Sequence, residues 1–439
     1  MITARERLKL LAGSLAAAVL PEGAARAAIP DEKPRAFGDP AGDGWNELVA
    51  TLADAGRFVQ SHPFYGMPEY RALAYTMIVS NLLQDLEMNF VFDEDFPYFS
   101  PHDNRTRAGI DNPDQRYSIC KVKGGADYRI WGHVGSATRI EFQTYAGDPF
   151  TAGGGGVPSA LMFEEVAVAD DGSFEVFLTP EKTGETWMAN PPDTTQLLIR
   201  ATYGDWNDKL PAELHIDRIG MEGALRPLAT EASAAEGLRR AARDLKVQTR
   251  AWPMLLQMRY GTMEKPAAIA DLPMNVMAPI QDGTSRGAAK GRVMPMGLWD
   301  LEPEEALILT IRPLGTPYQG VTLTDLWGNT LEYGNRQSSL SDQQAAINSD
   351  GTYTFVIAGT DPGIANWLDT MGIKTGQIII RIDGKRTKPL DPDNLTSLRK
   401  VRLADVGQHI PPEMPRVSPA QREKAIAARR RHVQVRCHN

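Results

Sequence analysis

Asp171-Gly172-Ser173-Phe174-Glu175-Val176-Phe177-Leu178 sets a turn pair ahead of side chains that alternate apolar and polar, the period of a half-buried β-strand. Trp187-Met188 follows, Trp187 coming 16 residues after Asp171, and Leu198-Ile199-Arg200 closes the unit 13 residues after that tryptophan. The same order returns downstream. Asp350-Gly351-Thr352-Tyr353 opens a strand, Trp367-Leu368 begins 17 residues after Asp350, and Ile379-Ile380-Arg381 closes 14 residues beyond Trp367. Upstream of each, Tyr128 to Asp148 and Ile308 to Asn329 read as strand, Gly-containing turn, strand, turn. A period near 180 residues implies two similar β domains, because solenoid repeats are far shorter.

Outward from these units the period changes. Residues 45–90 show helical spacing, with Trp45, Leu48, Leu52, Ala55 and Phe58 on one stripe and Tyr70, Leu73, Met77, Leu82, Leu83 and Leu86 on a second, both expected to be core faces. Residues 92–114 carry Pro97, Pro101, Gly109 and Pro113 and read as loop. A third helical pattern over 231–260 separates the β units. The expected fold is mainly β with added helices: two related antiparallel β-sandwich domains of jelly-roll type, an N-terminal helical pair, a connecting helix and a C-terminal basic helix. The spans are a leader over 1–27, a helical segment and loop over 40–115, the first β domain over 116–225 and the connecting helix over 226–264. A linker over 265–296, the second β domain over 297–400 and the basic helix over 416–436 complete the chain.

Composition narrows the function. In 439 residues, 42% hydrophobic and 23% charged is a globular balance, which excludes a disordered or collagen-like chain. Two cysteines, Cys120 and Cys437, exclude a disulfide framework and a Cys-rich zinc site. A net charge of −8 argues against nucleic acid as a partner. Seven basic residues from Arg416 to Arg436 against Glu423 give the tail +6, which leaves −14 for the rest. Such a tail either docks as a helix on the acidic body or reaches a partner, a second copy of the chain among them. Arg5, Arg7 and Lys9, the uncharged run Leu10–Leu20 and Ala25-Arg26-Ala27 have the order of a cleaved secretory leader, which would make the protein periplasmic or secreted; an ordinary N-terminal helix would leave it cytoplasmic. The run is too short for an integral membrane anchor.

Trp327-Gly328-Asn329, Arg336-Gln337-Ser338-Ser339-Leu340, Asp361-Pro362-Gly363 and Asn366-Trp367-Leu368-Asp369-Thr370 together resemble the C-terminal module of the domain-of-unknown-function 1214 family. Asp111-Asn112-Pro113-Asp114 with Tyr117, and Tyr128-Arg129-Ile130-Trp131-Gly132, are similar to the N-terminal part of its single-chain members. The resemblance spans roughly residues 45 to 435. It implies a jelly-roll-like sandwich with added helices, and no particular activity, substrate or cofactor.

The residues themselves offer acid/base chemistry. Asp93 to Tyr117 concentrates Asp95, His102, Asp103, Arg105, Asp111, Asp114 and Tyr117 on one irregular segment. His102 is the expected base or acid, Asp103 and Asp114 the orienting carboxylates, and Arg105 or Arg336 the clamp for an anion. Tyr117, Arg129, Trp187, Asn366, Trp367 and Asp369 are the accompanying ligand contacts. A turn-and-capping network would use the same residue types. Seven histidines form no H-x-H or H-x-x-x-H pair, and no Walker loop, dinucleotide fingerprint or nucleophile elbow is present, so neither metal nor cofactor is expected. The leading expectation is a cofactor-independent enzyme acting on a small hydrophobic or aromatic molecule, of lyase, isomerase or hydrolase type. The alternatives are a carbohydrate- or lipid-binding sandwich without turnover, using Trp187 and Trp367, and an assembly protein.

Overall fold

The computed structural model describes residues 38–102, 106, 109–147, 155–207, 210–262, 265, 267–278 and 292–437. The leader over 1–27, Asp103, Arg105, the side chain of His102 and part of the 265–296 linker lie outside the described residues. Two helices open the fold, α1 (Pro40–Ser61) and α2 (Pro68–Leu86). The first unit follows with β1 (Ser100–His102), β2 (Gln115–Lys121), β3 (Tyr128–His133), β4 (Arg139–Ala146), β5 (Ala160–Leu161), β6 (Ser173–Thr179), β7 (Trp187–Ala189), β8 (Thr194–Thr202) and β9 (Glu213–Arg218). Helix α3 (Glu231–Tyr260) leads to β10 (Val276–Met277), β11 (Met296–Asp300), β12 (Glu305–Ile311), β13 (Tyr318–Thr324), β14 (Ser339–Ser341), β15 (Tyr353–Ala358), β16 (Trp367–Asp369), β17 (Thr375–Asp383) and β18 (Thr396–Arg402), and α4 (Pro419–Cys437) follows.

The strands form four sheets. The first unit contributes β1-β2-β8-β4-β5 and β7-β6-β3-β9, and the second contributes β10-β11-β17-β13-β14 and β16-β15-β12-β18. Adding nine to each strand number of the first pair reproduces the second pair, so the repeat read from the sequence is a repeat of topology. Two details depart from expectation. The pairs β6–β7 and β15–β16 are parallel, because the chain loops back along its own strand instead of reversing in a hairpin. Strands β1 and β10 lie in stretches expected as loop and linker, each as a short edge strand on its five-stranded sheet.

Period-two alternation builds the cores. In the first sandwich Cys120, Tyr128, Ile130, Phe142, Val176, Leu197 and Ile199 face inward together. In the second, Trp299, Leu307, Val321, Phe355, Ile378 and Ile380 do the same, and that core runs on into Phe64, Tyr70 and Met77 of the N-terminal segment and Leu245 of α3. Trp327 Nε1 donates to the Tyr70 carbonyl at 3.1 Å and Asn329 Nδ2 to that of Leu73 at 3.1 Å, anchoring α2 on the second unit. The buried stripe of α1 is Gly44, Leu48, Ala55 and Val59, with Trp45 57% exposed. Gly44 takes the place expected for Trp45 because a Cβ there would stand 2.9 Å from the Ala235 carbonyl oxygen of α3.

The basic tail folds back on its own chain. Arg422 Nε donates to Asp361 Oδ2 at 2.9 Å and its Nη1 to Gln337 Oε1 at 2.6 Å, while Arg429 reaches the Tyr333 carbonyl and Ser339 Oγ. Arg429 and Arg436 lie over the Trp206 ring at 4.1 and 5.0 Å, and His432 stacks on it at 5.0 Å. Trp206 Nε1 in turn donates to Asp114 Oδ1 at 2.8 Å, and the Tyr318 hydroxyl donates to Asp114 Oδ2 at 2.7 Å. First unit, second unit and α4 therefore meet at one buried carboxylate.

Asp342, next to this knot, has its carboxyl pushed up to about 6, first by burial and then by the charge of Asp114. Below about pH 3 the group is protonated whether the chain is folded or unfolded; between there and pH 6 the unfolded chain ionises first, so stability falls as pH rises. Asp342→Asn is expected to be about 1–3 kcal/mol more stable than wild type at pH 7, with most of that gain lost at about pH 4. Urea unfolding at the two pH values measures this, and identical midpoints at pH 7 would count against it.

Candidate functional site

The outer face of the first five-stranded sheet is not solvent-facing. Where Cys120, Leu197 and Ile199 point into the sandwich, Tyr117, Lys121, Gln196 and Arg200 alternate onto the opposite side, joined by Tyr145 of β4. Tyr117 sits opposite Arg200, and Arg200 opposite Glu141. Helix α3, the end of α2, the 109–111 turn and the second unit close over this face and leave a cavity of about 920 Å³.

Two arginines from different repeats line it. Arg200 is the seventh residue of the nine-residue strand β8, and Arg381 is the seventh of the nine-residue strand β17. Both line the cavity, at 8% and 4% exposure. Arg200 donates to Gln143 Oε1 at 2.7 Å and the Tyr145 hydroxyl at 3.1 Å, and lies 5.7 Å from the Tyr117 ring centre. Arg381 donates to the Ile110 carbonyl and to Thr322 Oγ1 at 3.4 Å. All of these acceptors are neutral, and among the described residues no carboxylate forms an ion pair with either guanidinium. Arg292, also in the wall, is different: Asp383 grips it with two bonds of 2.6 and 2.7 Å. Burial opposes the Arg292 charge, but Asp383 outweighs it and holds the guanidinium above its ordinary pKa.

Asp111 and Tyr117 add oxygens to the cavity wall. Asp111 is 6% exposed and its Oδ1 has no hydrogen-bond partner. The Tyr117 hydroxyl accepts the Asn112 backbone N–H at 2.8 Å; burial raises its pKa, and the positive charges of Arg381 and Arg200 partly offset that rise. Polar pairs seal the α2–α3 side, with Gln248 Nε2 donating to Asp85 Oδ1 at 2.7 Å and Asn89 Nδ2 to Asp244 Oδ2 at 2.6 Å. Leu198, Leu255 and Trp252 give the apolar wall. The Trp252 ring fits only because residue 109 is glycine: it has φ +77°, and a Cβ would lie 2.8 Å from the indole.

Of the residues expected from sequence, Tyr117 reaches this cavity. His102 enters β1, with its side chain outside the described residues, as are Asp103 and Arg105. Asp114, expected to join them as an orienting carboxylate, instead has both oxygens occupied by Trp206 and Tyr318, and burial raises its pKa. Arg129 is surface-exposed and paired with Glu175 at 2.6 Å. Arg336 binds Asp369 at 2.8 Å, and Asn366, fully buried, ties Ala346 to Thr354. Trp367 is 7% exposed with Nε1 on the Ala358 carbonyl, so its ring is not open to a sugar, and half-buried Trp187 bonds Thr179 Oγ1. Both stand at the start of the parallel edge strand of their sheet, where that edge must be sealed.

Cys120 is buried and its thiol pKa is raised by burial, which disfavours the nucleophilic thiolate. Among the described residues no three His, Cys, Asp or Glu stand together as metal ligands. Arg200 and Arg381 were visible in sequence as the closing residues of two matching apolar runs; a charged residue repeated at one register position is the signal that marks them.

No family model and no curated protein matches the chain. Among solved structures it is similar to an uncharacterised protein from Burkholderia cenocepacia, with a TM-score of 0.73 and 27% identity over 83% of this chain and 98% of that one. The VPA0106 protein from Vibrio parahaemolyticus is more distant, at a TM-score of 0.41 and 11% identity over 74% of this chain and 98% of that one, too loose a likeness to carry weight. The fold is a two-domain β-sandwich with added helices.

Gly109→Ala forces a methyl into the Trp252 ring at a backbone angle that alanine resists. The expected result is a loss of about 1–3 kcal/mol in stability with a shifted indole emission, measured by urea unfolding followed by fluorescence. Unchanged emission would mean that the ring is not held by this turn.

Proposed function

We propose that the chain binds a small organic anion in the cavity between its two sandwiches, with Arg200 and Arg381 as the clamp. The observation that carries this reading is the pair of buried guanidiniums that meet only neutral acceptors. Burying a cation without a counter-charge costs several kcal/mol, and a carboxylate or phosphate between the two would offset it through charge-assisted hydrogen bonds. Tyr117, Tyr145 and Trp252 then lie against an apolar or aromatic body. The kinship with the domain-of-unknown-function 1214 family belongs to the same proposal, since the motifs that suggest it fall in the two repeats.

Turnover is the second reading, favoured by one feature. The unpartnered Asp111 oxygen beside Tyr117 is suited to taking a proton from a bound acid's neighbouring carbon, without a cofactor. The sugar-binding alternative loses support, because Trp187 and Trp367 are engaged in their own sheets.

A thermal-shift screen of carboxylates and phosphate esters tests the clamp, since a ligand that prefers the native state raises Tm by mass action. Arg200→Gln and Arg381→Gln should each weaken the best ligand about tenfold or more. Wild-type affinity in both variants would sink the reading. Asp111→Asn separates the two functions: binding is kept, and any turnover of the retained compound, followed by mass spectrometry, falls about 10²- to 10⁴-fold.

A further inference from the structure

A second chamber of about 150 Å³ lies against the first. The two share Ile110, Trp252 and Leu255 in their walls, so these side chains stand as the partition between them. Beyond it the lining is mostly apolar, with Leu256, Met296 and Leu326, and Gln377 and Arg259 are its polar residues. Gln377 is already bonded to Thr324 Oγ1 and Met296 Sδ, and Arg259 to the Met294 carbonyl. A cavity of about 150 Å³ with aliphatic and aromatic walls accepts a benzene-sized guest.

The partition is held in an unusual way. Ile110 is a β-branched residue at φ +51°, a conformation such residues rarely adopt. Two bonds fix it there: its N–H donates to the Gly328 carbonyl at 2.9 Å, and its carbonyl accepts from Arg381. Arg381 therefore faces the large cavity and holds the partition at once. The Trp252 side chain is confined between Gly109 and Gly328, whose missing Cβ would stand 3.2 Å from the Trp252 Cβ.

We infer that the two chambers are the head and tail compartments of one binding site, and that its ligand is an acid carrying a phenyl-sized apolar end. The anionic head lies between Arg200 and Arg381, and the tail passes the Ile110–Trp252 partition into the small chamber. Residues 110 and 252 then set the distance between charge and ring. This rests on the anion reading and adds the class of ligand to it.

Calorimetry with acetate, phenylacetate, 3-phenylpropanoate, 4-phenylbutanoate and 4-phenylbutan-1-ol tests it. The expected wild-type result is an affinity that rises at least tenfold from acetate to one of the longer acids, with the alcohol at least tenfold weaker than its acid. Leu256→Phe and Met296→Phe each place a ring in the small chamber and should reduce the ratio of long-acid to acetate affinity at least tenfold, with folding checked by Tm. Folded variants that keep the wild-type ratio overturn the inference and leave the clamp standing. A wild-type series with no gain over acetate overturns it even if both variants fail to fold. Absence of binding by any acid, or binding untouched by Arg200→Gln and Arg381→Gln, removes the clamp itself and the two-compartment site with it.

Discussion

Asp114 sets the spacing on which everything else relies. Its two carboxylate oxygens accept from Trp206 of the first unit and Tyr318 of the second, out of contact with water. Each bond to a carboxylate contributes about 1.5–3 kcal/mol if the acceptor is charged, and losing one partner leaves a buried polar group exposed to desolvation cost. The Arg429 and Arg436 guanidiniums of α4 lie over the Trp206 ring, so the same carboxylate is also the anchor for the last helix. Were this joint loose, Arg200 and Arg381 would sit on two bodies free to drift apart, and no shared cavity would persist.

The repeated topology shows what such a joint requires. Arg200 faces Glu141 across the ladder, and its counterpart Arg381 faces Gly320. A Cβ at Gly320 would lie 3.0 Å from Asp114 Oδ2, so the side chain present in the first repeat is deleted in the second, where the partner unit needs the room. The two repeats differ where they touch and share an arginine where both line the cavity.

How much of this the chain announces depends on which faces are paired. Alternation over Phe174–Leu178 and Ile140–Tyr145, punctuated by Asp-Gly turns, makes the strands and their repetition legible. The polar face of β4 and β8 is legible too, but strand periodicity says only that Gln143, Tyr145 and Arg200 point away from the sandwich core; whether water or another domain lies there is decided by tertiary assembly. For the same reason the sequence does not tell that Trp367 is buried on an edge strand, or that Asp114 joins the two units. The tail's charge count is plain in the sequence, yet nothing local tells that Arg429 and Arg436 are buried on a tryptophan more than two hundred residues earlier.

That long reach has a consequence for biosynthesis. A ribosome releases Trp206 and the whole first sandwich well before α4 exists, since domains fold in order as they emerge. The face that will become the cavity floor, with Arg200 and its neighbouring tyrosines, must therefore wait uncovered until α3 and the second unit have been made. Maturation of the pocket is in this sense a late event, and a chain shortened by its last twenty residues would own both sheet pairs but leave the Trp206 ring without Arg429 and Arg436 over it.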